Sequence, residues 1–324
     1  MMGPALNHLA FGSGSAPSIA VPLSSSLDDS SRGQTRNSRD RLKSPTRGKR
    51  FFRKQAIDQR GGRGVGRWRV SVAIMKQLDP AELAYDSFAG IYDEFNDRND
   101  YEMWFGVLLP RLERFGLKRG RLLDVACGTG RAFAPMLRRG WRITACDISA
   151  EMVARAREKE PRPEEIEVCD MRELPVYGSF QLVWALNDPV NYLLGDGDLD
   201  SALRAMGANL APEGLLVFDC NTLRLFREFF GAEPDEMGGD RWAWRGLGSE
   251  GRFWEAELSG PGVRTHRHRE RHHPVPEVQA AMSAAGLVPV AAMGQCEDED
   301  DKVAIADDWD EDRDQKIVHV ARRR

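Results

Sequence analysis

The sequence predicts an α/β chain built on a doubly wound, mostly parallel sheet. Three observations lead there. Short apolar strands alternate with amphipathic helices from about residue 120 to residue 220. A strand at 121–126 runs into a small-residue loop, LLDVACGTGR, from Leu122 to Arg131. The strand after it ends on an acid, Asp147, in ITACDIS. Strands that alternate with helices pair in parallel under helices on both faces, and right-handed crossovers make the arrangement doubly wound.

The elements follow in order. Asp79-Pro80 starts a helix, and LDPAELAYDSFAGIYDEF sets Leu83, Phe88, Ile91, Tyr92 and Phe95 on one stripe of a continuous first helix. YEMWFGVLLPRLERF is the second helix. Next come strand 121–126, helix 130–139, strand 141–147, helix 149–159, strand 165–169, strand 180–186, helix 198–210 and strand 214–220. Beyond Thr222 the pattern changes, and RWAWRGL, RFWEAEL and VRTHRHRER suit a small antiparallel insert at about 236–272. Helix 275–285 closes on Ala285-Gly286, a C-cap signal, and strand LVPVAAMG follows. The segment from Glu297 to Asp314 holds 11 acids and 2 bases and reads as a solvated loop before the last strand, KIVHVAR.

At 324 residues with 41% hydrophobic composition, the chain can bury a sizeable core. Its first 75 residues carry 14 Lys and Arg against 4 Asp and Glu, although the whole chain has a net charge of −4. The remainder is therefore acidic, which argues against general nucleic-acid affinity. Residues 1–74 are rich in Ser, Gly and Arg without apolar periodicity, and read as a disordered basic tail. A transit peptide, a nucleic-acid arm and translation from a misplaced start compete with that reading. Well-patterned sequence directly after Met75 favours the misplaced start, with the folded domain at 75–324. The five cysteines, at 127, 146, 169, 220 and 296, form no CxxC pair, so neither disulfides nor zinc are expected. No run reaches 18 apolar residues, and a cytoplasmic protein is the expectation.

The chemistry centres on the glycine loop. Gly128 and Gly130 between a strand and a helix present backbone N–H groups at the carboxyl edge of the sheet, where open α/β sheets bind ligands. Asp124 precedes the turn. Asp147 ends the second strand, where a carboxylate accepts both hydroxyls of a ribose, so a nucleoside is implied. A P-loop requires GxxxxGK[ST], and no Lys follows these glycines. A dinucleotide fingerprint requires a third glycine at 133, where this chain has Phe133.

With those residues in view, the chain resembles the class I S-adenosylmethionine-dependent methyltransferases. LLDVACGTGR resembles the family's first motif, with Ala126 where the commonest form has its first glycine. ITACDIS matches the second motif and EVCDMREL the third, while WALNDPVNYLL and LAPEGLLVFDCNT hold the fourth- and fifth-strand positions. The likeness runs from about Tyr85 to Arg322. It implies a Rossmann-like, mostly parallel seven-stranded sheet with an antiparallel last strand, an N-terminal helical lid and S-adenosylmethionine as cofactor. The implied cofactor site comprises Tyr85, Asp124, Ala126, Gly128, Gly130, Asp147, Ile148, Asp170, Met171 and Asn187. Asp147 would hold the ribose, and Asp170 and Met171 the adenine.

Methyl transfer from a sulfonium depends on in-line positioning and exclusion of water. Candidate catalytic groups are Tyr92 on the lid, Asn187 after the fourth strand and His268 in the insert. Asp188, Asn191, Tyr101, Trp104 and Arg271 are weaker candidates for the same surroundings. The run HRHRERHH alternates with arginine and lacks a converging thiolate or carboxylate set, so no metal is expected. On a strand, His266, His268 and Glu270 share one face, and Arg267, Arg269 and Arg271 the other. The expected activity is methylation of N or O on a small-molecule acceptor by a monomer or homodimer, without membrane or nucleic-acid partners. Within the family the motifs look most like bacterial aminosugar and glycine-type N-methyltransferases. The rivals are an RNA methyltransferase and a non-catalytic adenosylmethionine-binding protein.

Overall fold

Eight strands make the main sheet of the computed structural model, which describes residues 78–97, 99–231, 241–297 and 302–324. The expected disordered tail at 1–74 lies outside the described residues. In chain order the strands of this sheet are β1 (Arg121–Val125), β2 (Arg142–Asp147), β3 (Glu165–Val168), β4 (Phe180–Ala185), β5 (Leu210–Asn221), β9 (Leu287–Glu297), β10 (Val303–Ala306) and β11 (Lys316–Arg323). The insert forms a separate sheet from β6 (Ala243–Glu250), β7 (Phe253–Ser259) and β8 (His266–Arg271). Spatial order in the main sheet is β10-β9-β11-β5-β4-β1-β2-β3. The strands from β3 to β5 run parallel, whereas β11 enters antiparallel between β5 and β9. The chain reverses at β1, whose neighbours are β2 and β4, and the carboxyl ends there open the crevice that doubly wound sheets use.

Period-two alternation explains why both faces are covered. Along β4, Leu182 and Trp184 join the apolar cluster of α3 (Tyr101–Arg114) and α4 (Phe133–Arg138). Val183 and Ala185 face the opposite cluster, with α6 (Asp198–Ala208) and α8 (Val275–Ala284). Trp184 stacks on Phe105 of α3 with ring centroids 5.1 Å apart.

Three expectations need correction. The first helix is not continuous: α1 (Pro80–Phe88) ends, the chain turns through Ala89–Ile91, and α2 (Tyr92–Phe95) restarts. Gly90 in that turn carries helix-breaking entropy that the apolar stripe conceals. The acidic segment is not all loop, because Val303–Ala306 pairs antiparallel with β9 and makes the sheet one strand larger than the expected seven. Its VAIA burial alternates, with Val303 and Ile305 inside, a pattern outweighed in the sequence by the flanking acids. Finally, α7 (Leu223–Phe230), where the sequence showed only a change of pattern, is capped by Thr222, whose hydroxyl accepts from the Leu225 N–H at 3.3 Å. Among the described residues no helix is long and apolar enough to cross a membrane.

Candidate active site

At the carboxyl edge of β1 two hollows share Ala126 as a common wall. The larger encloses about 470 Å³ including its mouth, and is lined by Tyr85, Ile148, Asp170, Met171, Tyr192 and Leu193 among others. The smaller encloses about 290 Å³ and takes its walls from Tyr92, Tyr101, Asp124, Thr129, Arg131 and Asn187. Each lies near the size range of small-ligand sites. The broken lid explains the division: α1 delivers Tyr85 to the first hollow and α2 delivers Tyr92 to the second.

Backbone conformation shapes the dividing wall. Ala126 sits at φ 58°, and Asn187 and Asp188 after β4 sit at φ 69° and 59°, all in the left-handed region. Non-glycine residues there carry strain and concentrate at functional sites. For Ala126→Gly, relief of about 1–2 kcal/mol of left-handed strain opposes about 0.4–1 kcal/mol of added unfolded-chain entropy. Denaturant unfolding should therefore show a stabilisation of at most about 1.5 kcal/mol; a clear destabilisation would mean the Ala126 methyl packs in a way that outweighs its strain.

Asp147 is fully buried beneath the loop. Its two oxygens accept from the N–H groups of Gly128 at 2.8 Å and Ser149 at 2.9 Å. Burial raises its carboxyl to about 6 despite those bonds. Asp147, Gly128 and Gly130 thus sit behind the two hollows, where they shape the loop. Asp124 lies on the cavity side: it is 2% exposed, one carboxylate oxygen has no hydrogen-bond partner, and burial lifts it to about 7. Asn187 donates its amide N–H to the Tyr101 hydroxyl at 2.9 Å and leaves its carbonyl oxygen buried without a partner. Unsatisfied buried acceptors are rare and call for a donor.

Arg131 was not singled out as a site residue, although it ends the glycine motif. Its guanidinium donates to the carbonyl oxygens of Asp93 at 2.9 Å and Asn99 at 3.1 Å and lies over the Tyr101 ring. Among the described residues it makes no ion pair, and it lines the smaller hollow together with Asp124. Arg172 was also missed. It bonds Asp170 at 2.6 Å, Asp79 at 2.6 Å and Asp198 at 3.2 Å, tying the start of α1 to the wall that carries Met171 and to α6. Thr129 completes the clamp, its hydroxyl donating to Asp93 of α2 at 2.5 Å. Apart from Asp170, two residues before Arg172, these partners are distant in sequence, so spacing alone had no means of showing them.

The insert follows its expected alternation only as far as Glu270, because Arg271, placed with the outward arginines, is 6% exposed. His268 and Glu270 are buried, while Arg267 is exposed. Arg271 does not face the two hollows: it reaches Asp196 at 3.0 Å and Glu277 at 3.4 Å around a separate surface depression. His268 lies behind the larger hollow, with Nδ1 2.8 Å from the Tyr192 hydroxyl. Asn191 faces inward as well, donating to the Arg271 carbonyl at 2.8 Å. Among the described residues no group of His, Cys, Asp or Glu is arranged to hold a metal, and the five cysteines form no disulfide with one another.

Residues 122–214 match the family model for a methyltransferase domain. YqeM of Bacillus subtilis (strain 168), whose methyltransferase designation is provisional, is 32% identical over 162 residues, covering 49% of this chain and 63% of that protein. Over that segment the chain is similar to S-adenosylmethionine-dependent methyltransferases. The dTDP-3-amino-3,6-dideoxy-alpha-D-glucopyranose N,N-dimethyltransferase of Streptomyces fradiae is 30% identical over 120 residues, 37% of this chain and 47% of that one. The chain thus spans about three fifths of the first relative and about half of the second. An S-adenosylmethionine-dependent methyltransferase structure from Clostridium acetobutylicum superposes with a TM-score of 0.62 at 20% identity, over 74% of this chain and 99% of that one. That likeness confirms the methyltransferase fold.

The residues present fit the cofactor that this methyltransferase family implies. The smaller hollow offers a guanidinium and a carboxylate with an orphaned oxygen, the complement of an amino acid's carboxylate and ammonium. The larger offers apolar Ile148, Met171 and Leu193 beside Asp170, suited to a flat heterocycle bearing an amine.

Proposed function

We propose that the chain transfers a methyl group from S-adenosylmethionine to nitrogen or oxygen of a small-molecule acceptor in a soluble, cytoplasmic setting. The observation that carries this is the Asp124 and Arg131 pairing across the smaller hollow. Bound there, the cofactor supplies a methyl group on a positively charged sulfur. Arg131 holds the carboxylate of its methionine end, and Asp124 with the Asn187 carbonyl faces the ammonium. Asp147, expected at the ribose, instead braces the glycine loop from behind through the Gly128 and Ser149 N–H groups. Ile148 and Met171 enclose the adenine, with Asp170 at its amine.

Tyr85, Tyr92 and Tyr192 surround the wall between the hollows, where a sulfonium would lie. Burial holds all three phenols well above their ordinary value, so they remain neutral. Their ring faces favour a cation, and their bulk excludes water. Similarity to an amino-sugar methyltransferase favours an amine acceptor within the small-molecule class.

Calorimetry with S-adenosylmethionine tests the assignment. Arg131→Ala should weaken binding by about 1.5–3 kcal/mol, the scale of a lost hydrogen bond to a charged group. Unchanged affinity would refute the carboxylate role, and a wild-type chain that failed to bind the cofactor would refute the function.

A further inference from the structure

Behind the larger hollow four side chains link in series from the cavity wall to the surface of the insert. Tyr85 and Tyr192 line the hollow. Their hydroxyls are 2.9 Å apart, Tyr192 OH is 2.8 Å from His268 Nδ1, and His268 Nε2 is 3.0 Å from His266 Nε2. His266 Nδ1 lies 2.8 Å from the carbonyl oxygen of Arg264, an exposed residue. Together they connect β8, the turn after β4 and the lid helix, and no part of the adenosine or methionine assignment uses the histidines.

The direction of every hydrogen follows from the surface end. A carbonyl only accepts, so His266 carries its hydrogen on Nδ1 and is bare at Nε2. His268 must then donate from Nε2 and is bare at Nδ1, because burial depresses both imidazoles below their ordinary value and keeps them neutral. Tyr192 consequently donates to His268, and its oxygen accepts from Tyr85. All the hydrogens point away from the cavity, and the Tyr85 oxygen has an acceptor position left. The sleeve is apolar: His268 packs between Phe88, at 5.8 Å between centroids, and Trp244, at 5.0 Å. The ionisable groups nearby are Glu270 on the same strand face, held by the Asn221 amide at 2.8 Å, together with Asp188 and Arg264.

We propose that Tyr85, Tyr192, His268 and His266 form an outward proton path that carries the acceptor's surplus proton from the reaction cavity to solvent. The inference rests on the methyltransferase reading above. An amine acceptor gives its lone pair to the methyl carbon, the C–S bonding pair stays on sulfur, and the new ammonium holds one proton too many. That proton passes to the Tyr85 oxygen while Tyr85 gives its own to Tyr192, Tyr192 to His268 Nδ1, and His268 Nε2 to His266 Nε2. His266, half-buried, then releases its Nδ1 proton to water. Each group ends with the number of hydrogens it began with, and the two imidazoles end as their other tautomers, which hydrogen exchange with water returns before the next transfer.

Two measurements on the full chain test the path. Nitrogen-15 NMR of the imidazoles should show His268 protonated only at Nε2 and His266 only at Nδ1, with Tyr192→Phe shifting the bare His268 Nδ1 signal. His268 protonated at Nδ1 would reverse the chain, turn the Tyr192 hydrogen toward Glu270 and overturn the proposal. Methyl transfer to dTDP-3-amino-3,6-dideoxyglucose is the kinetic probe. His266→Ala should lower kcat on the order of a hundredfold, with the KM for the cofactor unchanged and with recovery on added imidazole, as expected for lost proton transfer. An unchanged kcat, or a loss that imidazole does not restore, would overturn the path. Absence of cofactor binding by the wild-type chain would instead remove the methyltransferase reading, and the tautomers would still decide the hydrogen-bond order.

Discussion

Replacing Lys316 with alanine is expected to destabilise the fold by about 3–5 kcal/mol, the range for removing one partner of a buried ion pair. Lys316 starts β11 and is 2% exposed. Its ammonium donates to Asp188 at 2.6 Å and lies 3.6 Å from Asp219, and both acids are fully buried. Burial opposes its charge, but the two carboxylates prevail and hold its affinity for the proton above the ordinary value. Asp219 in turn accepts the backbone N–H of Asp188 at 2.9 Å. The three side chains therefore pin Asn187-Asp188 in its left-handed conformation and present Asn187 to Tyr101 and the smaller hollow. Denaturant unfolding checks the size of the effect. A Lys316→Ala, Asp219→Asn double variant should lose less than the sum of the two single changes, because the second substitution removes one of the stranded charges. Simple additivity would show that the groups do not act together.

Gly130→Ala is expected to cost about 2–6 kcal/mol, from left-handed strain of about 1–3 kcal/mol and overpacking of similar size. Gly130 has φ 81°. A β-carbon there would lie 2.1 Å from the ring of Phe133, which is fully buried in the core under β1. The ring cannot simply swing away, since α4 opens with it and Met136 packs in the same cluster. The same contact explains the missing third glycine of a dinucleotide fingerprint. Here Phe133 fills the space beneath the loop, whereas a glycine in its place leaves room for close helix approach. Thermal unfolding and adenosylmethionine calorimetry on the variant provide the check. A near-wild-type melting temperature would show that the ring finds another rotamer.

Much of the fold is legible because its causes are local. The alternation of strand and helix from Arg121 to Asn221, the two-sided burial along β4 and the Gly286 stop after α8 all follow from nearest-neighbour periodicity. The reversed last strand is instead what the resemblance to methyltransferases implies. The break after Phe88 and the strand Val303–Ala306 were not legible in the same way. An apolar stripe conceals one glycine turn, and acids on either side conceal four residues that pair with β9.

The site divides similarly. Asp124, Ala126, Gly128, Gly130 and Asp147 announce themselves because the motif compresses them onto one loop and two neighbouring strand ends. Spacing on a presumed continuous helix placed Tyr85 and Tyr92 on one face, whereas the turn between them sends each to a different hollow. Arg172 gathers carboxylates from positions 79, 170 and 198, and Lys316 reaches back to Asp188. His268 meets Tyr192 across 76 residues. The sequence by itself determined the parallel half of the sheet, the loop and the likeness to methyltransferases, since short-range periodicity and motif spacing encode them. Only the tertiary structure decided which charges neutralise one another, which tyrosine faces which hollow and how the histidines are wired, because those are matters of distance between segments far apart along the chain.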